Sequence, residues 1–177
     1  MKSRSKAVDI CQIAMGAIII TICAWIMIPT AVPFTLQTFG VFTVLLLFDG
    51  KKGFLSVCLY ILMGLIGIPV FSGFAAGPAV LMSVTGGYLI GFVIMALCYW
   101  FFSACISGKK HIRIVALVMG LVLCYMFGSV WLSYIYGGPE MFYKALTVGV
   151  IPFIIPDIVK LILAVTVSKM ISKHIRF

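Results

Sequence analysis

The sequence predicts an all-α polytopic membrane protein with six transmembrane helices and both termini in the cytoplasm. Three observations carry this. Apolar runs close to the length of a membrane span recur along the 177 residues. Mean hydropathy is +1.27 and only 10% of residues are charged, where a soluble domain has about a quarter. Basic residues collect in alternate connections, as they do where charge sets topology. With almost no mass outside the spans, one domain, 1–177, accounts for the chain.

The first segment, 8–28, follows Lys2, Arg4 and Lys6. It exceeds the ~7–15 apolar residues of a secretory signal. Pro29 and Pro33 follow it in place of a small-x-small cleavage site, so it reads as an uncleaved span. Segments 34–48 and 54–70 flank the tight connection DGKKG (49–53). Both are short for a bilayer that takes about 20 residues, and they draw length from adjoining apolar stretches. Segments 84–106 and 114–136 flank SGKKHIR (107–113), and segment 150–172 closes the chain. Glycine and charge are expected to stop the helices at these two basic connections.

Eleven of the thirteen basic residues then fall on one side: Lys2, Arg4, Lys6, Lys51, Lys52, Lys109, Lys110, Arg113, Lys169, Lys173 and Arg176. Lys144 alone falls on the other, and Lys160 lies within the sixth segment. The positive-inside rule makes the eleven cytoplasmic, and an even span count requires both ends to share that side. The net charge of +9 is therefore a topology signal. No basic stripe interleaved with aromatics suggests nucleic acid, and the bilayer of the cell membrane is the expected surrounding.

The opposite connections are apolar: PTAVPFTLQ (29–37), FSGFAAGPAVLMSVTGGY (71–88) and YGGPEMFYKALTVGVIPFIIP (136–156). A solvated loop would be polar. Irregular apolar backbone at a membrane is tolerated where it is buried in protein or lines a cavity, so these segments are expected to fold inward and roof a pocket. No internal repeat supports an inverted-repeat transporter. The six cysteines, Cys11, Cys23, Cys58, Cys98, Cys105 and Cys124, sit in apolar runs without a C-x-x-C pair and read as packing residues.

Among the four acidic residues, Asp9 and Asp49 lie near basic residues at cytoplasmic helix ends and Glu140 in an outer connection. Only Asp157 is within a span, in IIPDIVKLIL (154–163), with Lys160 three residues on. Pro156 suits the first position of a helix, which would place Asp157 in a first turn favourable to an anion and Lys160 on the same face. An ionisable residue inside a span suggests function by default. Three readings remain: an internal ion pair or a snorkelling lysine, a proton or ion relay, and a pair of ligand contacts. A relay needs a chain of titratable groups, and no second carboxylate or histidine lies within the spans. A cation and an acceptor beneath an apolar roof suit a zwitterionic or amide-plus-carboxylate ligand.

Further candidates on that side are Thr35, Gln37, Thr38, Ser72, Ser83 and Thr85, with Gly86 and Gly87 permitting close backbone approach. Tyr88 would offer a flat apolar face with a polar tip. For Gln37 an interhelical hydrogen bond, and for Tyr88 an interfacial position, are the alternatives to a ligand role. No G-x-S-x-G, H-E-x-x-H or P-loop occurs, and His111 and His174 form no metal set, so no enzyme, metal or cofactor is expected. If the chain drives uptake, the energy must come from partners. The first segment carries Ala7, Cys11, Ala14, Ala17, Thr21 and Ala24, a small-residue face that admits close helix approach, internal or external.

PFTLQTFGV, GLIGIPVFSG and TGGYLIGF, in that order, followed by PFIIPDIVKLILA (152–164), resemble the BioY family, the biotin-specific S components of energy-coupling factor (ECF) vitamin transporters. The likeness covers most of residues 30–170. It implies an S-component fold with six helices, capture of biotin on the outer side as transported ligand, and partnership with a transmembrane coupling subunit and two cytoplasmic ATPase subunits. Asp157 becomes the acceptor for the ureido N–H groups, and Lys160 the partner of the ureido carbonyl or the carboxylate. Tyr88 and Phe74 would line the ring or chain, and Ala14 and Ala17 would meet the coupling subunit. Two departures from the family pattern stand out: Pro156 where glycine is common before the aspartate, and a second outer connection without charge or Asn. The biotin carboxylate would then depend on Lys160, Ser72, Ser83 or backbone N–H groups. An S component for another vitamin, and a structural membrane protein in which Asp157 and Lys160 merely pair, are the rival readings.

Overall fold

The computed structural model describes residues 6–105 and 110–174. Lys2, Arg4, Lys109 and Arg176, which contribute to the predicted orientation, lie outside that range, as do the side chains of Lys110 and His174. The described residues form α1 (Lys6–Trp25), a two-residue ribbon of β1 (Met27–Ile28) against β2 (Phe34–Thr35), α2 (Gln37–Leu47), α3 (Gly50–Leu65), α4 (Pro78–Leu81), α5 (Gly86–Cys105), α6 (Lys110–Ile135), α7 (Phe142–Gly149) and α8 (Ile151–His174). The ribbon is antiparallel, pairing Met27 with Thr35 and Ile28 with Phe34. Four helices, α1, α5, α6 and α8, are long and apolar enough to cross a membrane, and α2 is a shorter apolar helix.

The short helix is the central one. α2 packs against α1, α3, α5 and α8, and Val41, Phe42, Val44 and Leu45 have no exposed surface. A helix that is apolar all round is one that is covered all round. α5 and α6 form the most extensive helix pair. Gly91 sits on Cys124 and Gly120 on Met95, where an added Cβ would come within 2.7 Å of each side chain. Small residues at such crossings let helices approach closely.

Around this core the polarity is inverted relative to a soluble protein. Ile10, Ile18, Leu62, Phe101, Met126 and Ile162 face outward, while Gln12, Lys52, Ser56, Asp157 and Lys160 are buried. An apolar perimeter suits lipid, and internal polar groups must then find partners within the bundle.

Three details differ from the sequence reading. The connection between α2 and α3 is shorter than DGKKG: only Phe48 and Asp49 separate the helices, α3 starts at Gly50, and the side chain of Asp49 caps it by accepting a hydrogen bond from Lys52 N at 2.9 Å. α8 starts at Ile151, so Pro152 takes the early-turn position and Pro156 lies inside the helix. Asp157 is thus about 9 Å below the helix start, at 1.5 Å per residue, and the helix-end argument for its charge does not apply. On α1, Ala17 and Ala24 are fully buried and Thr21 is nearly so, whereas Ala14 is half-buried. Ala17 therefore packs within the molecule's own core and offers no surface to a partner.

Candidate functional site

All three apolar connections converge on one cavity. Val32 and Thr35 come from the ribbon region, Ser72 and Thr85 from the α3–α5 connection, and Gly149 from the end of α7. The floor comes from α2, α5, α6 and α8, which contribute Gln37, Tyr88, Tyr125, Phe153, Asp157 and Lys160. The inward-folding segments inferred from composition thus do form its walls.

Asp157 is its chemical centre. Only 1% of the residue is exposed, yet three donors reach its carboxylate. Thr38 Oγ1 donates to Oδ1 at 2.8 Å, Lys160 Nζ to the same oxygen at 2.7 Å, and Tyr125 O–H to Oδ2 at 2.6 Å. A carboxylate removed from water requires this density of donors. Lys160 is 5% exposed, and its ammonium also lies 4.4 Å from the centre of the Phe34 ring, within range of a cation–π contact. Phe34 in turn stacks on Phe153 with ring centres 5.7 Å apart. Truncating one partner of a buried pair of this kind costs about 3–5 kcal/mol, chiefly because the other charge is stranded.

The neighbours of this pair are ordered by their own contacts. Gln37, at the start of α2, donates its side-chain amide to Tyr60 O–H at 2.8 Å. It lines the cavity as well, so the interhelical bond and the cavity position coexist. Thr35 Oγ1 accepts from Gln37 N at 3.2 Å. Tyr88 projects from α5 into the space that Gly128 and Gly149 leave open; a Cβ at either glycine would strike its ring or hydroxyl. The Tyr88 hydroxyl has Ser129 for a neighbour but no well-aligned hydrogen bond among the described residues.

Of the residues singled out from sequence, Thr35, Gln37, Thr38, Ser72, Thr85, Tyr88, Asp157 and Lys160 line the cavity. Phe74, Ser83, Gly86 and Gly87 do not. Gly73 has φ of +70°, and the turn it makes sends Phe74 outward, 62% exposed, against Trp25 at 4.9 Å. Ser83 braces its own turn: its hydroxyl lies 2.6 Å from Val80 O and 3.0 Å from Thr85 Oγ1, and its carbonyl accepts from Trp131 Nε1. Gly86 and Gly87 do permit close approach, but to the Leu81 backbone and the Trp131 side chain. Tyr125 was not singled out. Its phenol within the apolar run LVLCYMFG (121–128) is the available signal, because a buried Tyr hydroxyl usually finds a partner. No cluster of metal-ligating side chains occurs among the described residues.

An acceptor and a cation 2.7 Å apart, walled by aromatic rings, are complementary to a polar head with an adjacent donor and acceptor on an apolar body. A cavity of that kind in a lipid-facing bundle defines a membrane-embedded small-molecule site. The BioY family model matches residues 1–177. A probable biotin transporter BioY from Pyrococcus horikoshii is 38% identical over 165 residues, 93% of this chain and 96% of that protein. The biotin transporter BioY of Thermotoga maritima is 36% identical over 159 residues, 88% and 90% of the two chains. A crystal structure of the S-component for biotin from an ECF-type ABC transporter superposes with a TM-score of 0.82 at 25% identity, covering 98% of this chain and 95% of that one. The chain belongs to the BioY family, and it has an S-component fold.

Proposed function

We propose that this protein is the biotin-binding S component of an ECF transporter in the cell membrane, and that it captures biotin at Asp157 and Lys160. The observation that carries the reading is the buried Asp157–Lys160 pair inside an aromatic cavity, in a chain similar to biotin transporters over nearly its whole length. The ureido ring of biotin places N–H donors beside a carbonyl. Asp157 accepts from an N–H, and Lys160 donates to the carbonyl. Because the two side chains are in contact, they serve one end of the ligand. The apolar thiophane then lies among Tyr88, Phe92 and Phe153, and the carboxylate points towards the mouth near Ser72 and Thr85. The internal space is about 60 Å³, below the ~300–1,000 Å³ of sites that enclose a drug-sized ligand, so entry requires the lining to part.

Six spans follow if α2 and α3 cross with α1, α5, α6 and α8, and the distribution of Lys and Arg supports cytoplasmic termini. The chain carries no nucleotide-binding motif, so the energy for transport comes from partners, and its family implies that these are a transmembrane coupling subunit and two ATPase subunits. Ala14, half-buried on α1, remains the candidate contact for the coupling subunit. Catalysis and a resident cofactor are not part of this function.

The test is a titration of detergent-purified protein, freed of ligand, with biotin, riboflavin and thiamine. Saturable binding of biotin alone is expected. A folded protein that binds none of the three, or prefers another vitamin, overturns the reading.

A further inference from the structure

At the far end of α8 a second concave surface, about 500 Å³, opens between α2, α6 and α8. Ser168, Lys169, Ser172 and Lys173 form one side, and their three- and four-residue spacing puts them on one helix face. Arg113, in the first turn of α6, lies across from them. Leu46, Ile114 and Val165 supply an apolar floor.

Among the described residues the three cations have no carboxylate to answer them. The chain has only four acidic side chains: Asp9 and Asp49 flank Lys52, and Asp157 holds Lys160. Glu140 lies in the α6–α7 connection, at the other end of α6. No ion pair of Arg113, Lys169 or Lys173 occurs among the described residues. The start of α6 adds the positive end of a helix dipole.

Ser168 points independently to a ligand. It is 5% exposed, and its hydroxyl has no partner among the described residues. A hydroxyl inside a helix ordinarily bonds back to the carbonyl four residues earlier, as Thr166 does to Ile162 at 2.9 Å. Ser168 makes no such bond. A buried donor without a partner, beside three unanswered cations, matches the oxygens of a phosphate group.

We propose that this groove binds the headgroup of an anionic phospholipid, the phosphate held by Arg113, Lys169, Lys173 and Ser168 and an acyl chain lying on Leu46, Ile114 and Val165. The apolar floor and the outward-facing Val115 and Ile162 nearby favour a lipid over a free anion, because inorganic phosphate gains nothing from them. Basic pockets between membrane helices are known lipid-headgroup sites.

The test uses the full chain in detergent, loaded with equal phosphatidylglycerol and phosphatidylcholine and read by native mass spectrometry. The wild type is expected to keep one phosphatidylglycerol in preference. Each surface cation contributes roughly fivefold, so Arg113→Gln/Lys169→Gln/Lys173→Gln should lose on the order of a hundredfold in affinity. Lys51→Gln, a cation elsewhere, should change retention by no more than about fivefold. Should the triple variant fail to stay monodisperse, Lys169→Gln/Lys173→Gln is read instead, with a loss of roughly 25-fold expected. Equal retention of both lipids, unchanged retention in the groove variants, or an equal loss in Lys51→Gln overturns the proposal. So does displacement of the lipid by millimolar inorganic phosphate, which would assign the site to a free anion.

Discussion

The chain holds two Asp–Lys pairs spaced three residues apart, and they do opposite work. In Asp49–Lys52 the ammonium is 3.3 Å from the carboxylate, and the Asp49 side chain is 61% exposed. Its second partner, Asp9, is 43% exposed, also at 3.3 Å. Lys52 also donates to Gln12 at 2.7 Å. This cluster ties α1 to the start of α3 while both carboxylates keep their water. In Asp157–Lys160 the side chains are 2% and 6% exposed and 2.7 Å apart. Spacing and residue type are the same in both. What differs is whether the carboxylate has left the solvent. A wetted carboxylate gains little from its partner; a dry one depends on every donor around it, and a ligand's N–H can take a donor's place.

Substitutions at matched positions sharpen that difference. The largest effect is expected at Asp157→Asn, which removes the charge and turns one of the two acceptor oxygens into an NH2 donor. Biotin affinity should fall by at least a hundredfold, as for loss of a buried charged hydrogen bond, with a monodisperse, folded protein by size-exclusion chromatography. Lys160→Ala strands the carboxylate of Asp157, so both biotin affinity and the thermal midpoint should drop, the latter reflecting about 3 kcal/mol. Tyr125→Phe deletes one of three donors to Asp157 and should weaken biotin about tenfold in a titration.

At the other pair the expected effects lie in stability alone. Lys52→Met removes the tie between Asp9, Gln12 and α3. It should cost about 1–2 kcal/mol in denaturation and leave biotin affinity unchanged. Asp49→Ala removes the cap on Lys52 N–H at about 1 kcal/mol, whereas Asp49→Asn retains a capping oxygen and should cost a few tenths.

The same comparison shows what the sequence made legible. Asp157 and Lys160 stood out because a chain with four acidic residues placed one of them in a span. The cavity walls were legible because connections rich in Gly, Pro and aromatics are too apolar to be solvated. Tyr125 and Thr38 as donors to Asp157 were not, because their meeting depends on how α2, α6 and α8 are brought together, which no local pattern encodes. Pro156 misled because Pro152, four residues earlier, competes for the same helix start. Phe74 misled because two consecutive residues at positive φ, Gly73 and Phe74 itself, set which way the turn faces. Gly86 and Gly87 do allow close approach, but sequence cannot say whether the thing approached is a ligand or, as here, Leu81 and Trp131. Ala17 shows the same ambiguity for a small residue on a helix: the neighbour proved internal.

The most direct measurement is a parallel biotin titration of wild type, Asp157→Asn and Asp49→Asn under one set of conditions. The same chemical change is thereby made in both Asp–Lys pairs. The account predicts wild-type affinity for Asp49→Asn and loss of at least a hundredfold for Asp157→Asn. Equal affinity in all three proteins would contradict it, and would reduce Asp157 and Lys160 to an internal ion pair.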